Sequence, residues 1–159
     1  MASDYETYLE ERFQGEVYGE AVFRAMAEHS DDPGRVRKLR VLEQLERETK
    51  ERLLPALREA GSVAEESAER VAEGEALGAE MAKAPWLDLM RGFQQQLGPL
   101  IADFERAEAL APAGREDLLQ HVTAHERALL AFADGEVAGN DSNANLEPVV
   151  ALLRSDPGD

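Results

Sequence analysis

Cysteine is absent from this chain of 159 residues, which excludes a disulfide framework, thiolate metal ligation and a cysteine nucleophile. That absence suits a reducing cytoplasm, and cytoplasmic residence is the expectation. The first residues, Met1-Ala2-Ser3-Asp4-Tyr5, offer neither a basic start nor an apolar run of signal-peptide length, so no export is expected. No segment approaches the roughly 20 continuous apolar residues of a spanning helix, and no membrane role is expected. Basic side chains are scarce, 17 against 33 acidic ones, for a formal charge of −16. Such a surface repels polyanions at long range, which argues against nucleic acid and anionic lipid as partners. Hydrolase triads, phosphate-cradling glycine loops, dinucleotide fingerprints, strand patterns and solenoid repeats are missing as well.

What is present is helical periodicity and enough apolar material, 43% of residues, for one sizeable core. One domain over residues 1–154 is expected, with a loose tail at 155–159. A first helix over about residues 4–29 carries the stripe Leu9, Phe13, Glu16, Glu20, Phe23, Ala27. A second, over about 33–60, carries Leu39, Leu42, Glu46, Thr49, Leu53, Leu57, with Pro55 as a kink. Residues 62–84 weaken to small and acidic side chains interrupted by Gly74 and Gly78, which predicts a surface-lying helical crossover. A third long helix over about 86–111 presents Met90, Phe93, Leu97, Leu100, Phe104 and Glu108, bent at Pro99. The fourth, about 115–138, presents Leu118, Val122, His125, Leu129 and Phe132, and a short helix over about 145–154 covers one end. Two tight hairpins joined by one long connection give an all-α, four-helix bundle of ferritin-like topology.

Bundles of this topology commonly hold two metal ions, using one Glu from each of two helices and Glu-x-x-His from each of the other two. Positions i and i+3 share a helix face, so carboxylates and imidazoles can reach the same inward point and neutralise cations. Glu16, Glu46 and His125 fall inward at similar depths on three helices, and their heads are expected to converge. Glu16 and Glu20 also fit the edge of a core, with buried stems and hydrated heads. Glu46 also fits a core position bonded to Thr49 or His125, and His125 a satisfied core histidine. His121 and His125, at i and i+4, have a spacing that can chelate one cation. Glu126 and Glu136 read as solvated residues. Gly15 and Gly19 leave one face of the first helix bare, open either to a dimer contact or to packing within the chain.

The segments Gly15-Glu16-Val17-Tyr18-Gly19-Glu20-Ala21-Val22-Phe23, Leu45-Glu46-Arg47-Glu48-Thr49 and His125-Glu126-Arg127-Ala128-Leu129 resemble the first, second and fourth helices of rubrerythrin-related, ferritin-like proteins. By that resemblance Glu16 corresponds to the first-helix carboxylate, Glu46 to the Glu of the second-helix Glu-x-x-His, and His125 to the fourth-helix His. Thr49 stands where that motif has His, Val122 where it has Glu, and Leu97 where the third helix has a carboxylate; only Glu105 and Glu108 follow farther along. Three of the six ligands of the pattern are present. Glu20, Glu108, His121 and Glu126 are the remaining metal-ligand candidates. The resemblance implies a homodimer, and iron, manganese or zinc as the cation, none of them required by the sequence. The expected protein is a bundle with a degenerate site, metal-free or weakly metal-binding, acting through its surface, as a dimer or on an unidentified protein partner. The alternative is a metal-dependent oxidoreductase or peroxide-handling protein of rubrerythrin type.

Overall fold

A computed structural model describes residues 1–158, and among them every regular element is helical. Helix α1, Asp4–Glu28, starts at a capping box: the Ser3 hydroxyl accepts from the Glu6 amide, and the Glu6 carboxylate accepts from the Ser3 amide. Helix α2, Pro33–Glu59, is capped by Asp32 and starts on proline, whose fixed φ suits a first turn. Helix α3, Ala68–Met81, is capped by Ser67. Helix α4, Trp86–Ala107, runs into one 3₁₀ turn, Glu108–Leu110. Helix α5, Glu116–Ala138, ends where Gly139 takes φ 75°, a left-handed conformation glycine adopts without strain. Helix α6, Ser142–Val150, is capped by Asp141. Pro55 and Pro99 both lie inside helices that continue past them.

Three expectations are corrected here. The crossover is helical only over Ala68–Met81, and Gly74 and Gly78, read as interruptions, are its buried residues. A Cβ at Gly74 would come within 2.6 Å of the Tyr18 carbonyl oxygen, and one at Gly78 within 2.3 Å of that of Val22, so these glycines let α3 lie backbone-close on α1. The last helix begins at Ser142 rather than near 145 because Asp141 accepts from the amides of Asn143 and Ala144. It ends at Val150, and the Arg154 amide donates to Glu48 instead. Glu136, read as solvated, is buried and accepts from Lys38, Trp86 Nε1 and Asn145 Nδ2.

Helix α1 packs on α2 and α3, α4 on α5, and α5 and α2 on α6. The apolar interior falls into two parts. One holds Phe23, Met26, Leu42, Leu45, Met90 and Phe132 with Leu146 and Val149 of α6; the other holds Leu9, Phe13, Leu53, Leu57, Phe104 and Leu119. Between them along the sequence of α1, α2 and α5 lie the buried polar residues Glu16, Glu20, Glu46, Thr49, His125 and Glu126.

Candidate metal centre

Each polar residue of this middle layer is turned inward by the apolar residues around it. Glu16 sits between Phe13 and Val22 on α1, Glu46 between Leu42 and Leu53 on α2, and His125 between Val122 and Leu129 on α5, all of them buried. Space for Glu46 comes from Gly19, where a Cβ would lie 2.3 Å from Glu46 Oε2. The bare Gly15/Gly19 face of α1 therefore turns toward the interior of the chain at Gly19.

His125 organises the cluster. Its Nδ1 lies 2.5 Å from the Val122 carbonyl oxygen, which can only accept, so Nδ1 carries the hydrogen and donates. In the neutral ring Nε2 then bears the lone pair. It points toward Glu16 Oε2 at 3.1 Å, Glu126 Oε1 at 3.6 Å and Glu46 Oε1 at 3.7 Å. None of Nε2, Glu16 Oε2, Glu46 Oε1 or the nearby Thr49 hydroxyl completes a hydrogen bond. A lone pair facing three acidic oxygens in a buried site is unstable until a proton or a cation comes between them.

Proton placement follows from the same geometry. Burial raises the Glu46 carboxyl, and the neighbouring Glu16 carboxylate raises it further, to well above its usual range. Burial alone would lower His125, but Glu16 and Glu126 hold it at about 9. Burial also works against ionised Glu16, yet the imidazolium beside it keeps its pKa below the ordinary value. Glu126 is raised by burial and by Glu16. The metal-free cluster is thus a protonated His125 paired with ionised Glu16 beside a neutral Glu46.

The donor set also fits a cation. The ligand atoms of Glu16, His125 and Glu126 lie within 4.8 Å of one another. Ligands about 2.1 Å from a tetrahedral ion stand roughly 3.4 Å apart, and the Glu16 and Glu126 oxygens lie 3.1 and 3.6 Å from Nε2; Glu46, 3.7 Å from Nε2, lies outside the group of three and would have to shift to join a shared ion. A metal-binding histidine commonly gives its other N–H to a backbone carbonyl, as His125 does.

Glu20, Glu108 and His121 lie outside the group that can share an ion. Glu20 is buried but bound to Lys50 Nζ at 2.5 Å, with Arg47 at 3.9 Å; its head meets ammonium and guanidinium rather than water. Glu108 is half-buried in the 3₁₀ turn and outside the group that can share an ion. His121 is half-buried, and burial together with Arg52 lowers its pKa to about 4. Glu126, read as solvated, is buried and joins the cluster. Its signal lay in the stripe Leu119, Val122, Glu126, Leu129, Ala133, which is in phase beside the one through His125. Helix α4 brings Phe93, Gln96, Leu97 and Leu100, and no carboxylate, to a cavity of about 360 Å³ that also reaches Glu16, Glu46 and Glu126. No protein-family model, curated protein or solved structure matches the chain.

Proposed function

We propose that this protein is a ferritin-like helical bundle that binds one divalent cation, iron, manganese or zinc, through His125 Nε2 and the carboxylates of Glu16, Glu46 and Glu126. The single observation that carries this reading is the buried His125 Nε2 set among carboxylate oxygens of Glu16, Glu126 and Glu46 at 3.1 to 3.7 Å, with Glu16, His125 and Glu126 close enough together to share one ion. The ferritin-like assignment rests on the order of elements, two long helical hairpins separated by the crossover that contains α3. One imidazole and no carboxylate from α4 favour a mononuclear centre over a di-iron one, because Leu97, Val122 and Thr49 supply neither charge nor strong donation.

In this reading His125 and Glu16 hold the ion, Glu46 and Glu126 give up their protons to complete the shell, and the alkyl walls keep bulk water out. Iron or manganese there would supply one-electron chemistry toward peroxide or oxygen, and zinc would supply Lewis acidity. A second reading is favoured by the protonation pattern: the cluster can be closed by protons alone, leaving a metal-free bundle that acts through its surface or as a homodimer. The two are separated by metal analysis of untagged protein purified without chelators. Close to one ion per chain, lost in His125→Ala, supports the proposal. No retained or reconstituted ion favours the surface-acting bundle, and two per chain would restore the di-iron reading.

A further inference from the structure

The cavity above the cluster is larger than an ion with its waters needs. Its walls come from α1 to α5, with Phe23, Leu42, Leu77, Leu97 and Phe132 among them, and its floor includes Glu16, Glu46 and Glu126. It is elongated, because residues from Arg12 to Phe23 line it, about 16 Å apart along α1 at the helical rise. Phe23 and Phe93 meet edge to face at 6.0 Å at one end of that stretch. Gly15 and Gly19 contribute no side chain to the wall. A Cβ at Gly15 would meet only the Arg12 guanidinium, at 3.6 Å, an ordinary contact, so a side chain can begin there without a clash.

At the other end stands Arg12. Although acidic residues outnumber basic ones 33 to 17, Arg12 makes no ion pair among the described residues. Its guanidinium lies over the Phe104 ring at 4.4 Å and the Tyr8 ring at 5.5 Å. Its Nε and the Tyr8 hydroxyl are both buried without a partner. One end of the slot is thus lined by a guanidinium that has no ion-pair partner among the described residues, and it asks for an anionic acceptor.

We propose that this slot binds an elongated aliphatic molecule ending in a carboxylate, its head on Arg12 and its chain directed along α1 toward Phe23 and Phe93. The inference rests on the cation-site reading in one respect: with the ion bound, the floor carboxylates no longer repel the anionic head.

Calorimetric titration of the full-length protein with decanoate, decanol and decylamine, each with zinc and with chelator, tests it. Decanoate should bind best with zinc present, and Arg12→Gln should weaken it about tenfold or more while moving decanol little, since a charge-assisted contact is lost from one ligand only. Gly15→Leu, which places a helix-favouring side chain in the slot, should block both ligands while keeping the wild-type circular dichroism. The proposal is overturned if decanoate does not bind, if decylamine binds better, or if neither variant alters decanoate binding. Decanoate binding that depends on Arg12 in a protein that takes up no zinc would uphold the slot and sink the cation site. Zinc uptake without decanoate binding would do the reverse.

Discussion

Among the described residues Glu46 has no basic partner within reach other than His125, and its neighbour Glu16 is ionised, so at neutral pH and without metal its carboxyl holds a proton. The unfolded chain releases that proton near pH 4.5, so the folded state binds more protons above that pH and stability falls as pH rises. Glu46→Gln copies the neutral acid. In chelator it should raise the free energy of unfolding at pH 8, read from denaturant titration, by about 1–3 kcal/mol, and in saturating metal it should lower the melting temperature instead. His121 shifts the opposite way. Unfolded, it takes up a proton near pH 6.5; folded, it stays neutral until about 4, so stability contributed by the neutral ring is lost as pH falls through that window. His121→Gln should flatten the acid limb of a urea midpoint series between pH 6.5 and 4, and an unchanged limb would contradict this. Glu16, Glu46 and His125 were legible because each interrupts an apolar stripe in phase. Glu126 was hidden by its adjacency to His125, since neighbours in a helix ordinarily face different ways. The pairing of Glu20 with Lys50 depends on how α1 and α2 meet, which no local pattern encodes.

Helix α3 shows what pattern reading misses at the scale of an element. Its stripe is weak because it docks through backbone: Gly74 and Gly78 meet the α1 carbonyls, while Leu77 stays 40% exposed. Alanine at position 78 gains about 1 kcal/mol of helix propensity in isolation. Here its Cβ would collide with the Val22 carbonyl oxygen and the Ala25 side chain, at 2.3 and 2.8 Å, and one backbone must move. Gly78→Ala should therefore loosen α3, seen as faster amide exchange over Ala68–Met81 with α2 protection kept. Even in the wild-type chain α3 should exchange faster than residues 93–104 of α4, because it buries no large apolar side chain. Slower exchange in α3 than in that part of α4 would overturn this account of its docking. The long helices were legible from their stripes, whereas the start of the short α6 was set by its Asp141 cap, which a stripe does not reveal.

Across the whole molecule, two apolar regions are joined through a layer of acidic groups that costs stability unless it is neutralised. A cation that binds only the folded chain adds stability by mass action, about 2.7 kcal/mol at a hundredfold excess over Kd. Chelation should then lower the melting temperature, and His125→Ala should remove the effect of chelator. The all-helical architecture follows from residue periodicity, whereas the cavity follows from how α1 to α5 come together beside the bare Gly15 and Gly19, information that is absent from any one stripe. The most direct test of the central claim is anomalous diffraction from crystals of the zinc-loaded protein. One internal peak about 2 Å from His125 Nε2, within coordination distance of the Glu16, Glu46 and Glu126 carboxylates, is the expected result. Peaks confined to surface carboxylates, or a pair of internal peaks, would contradict it.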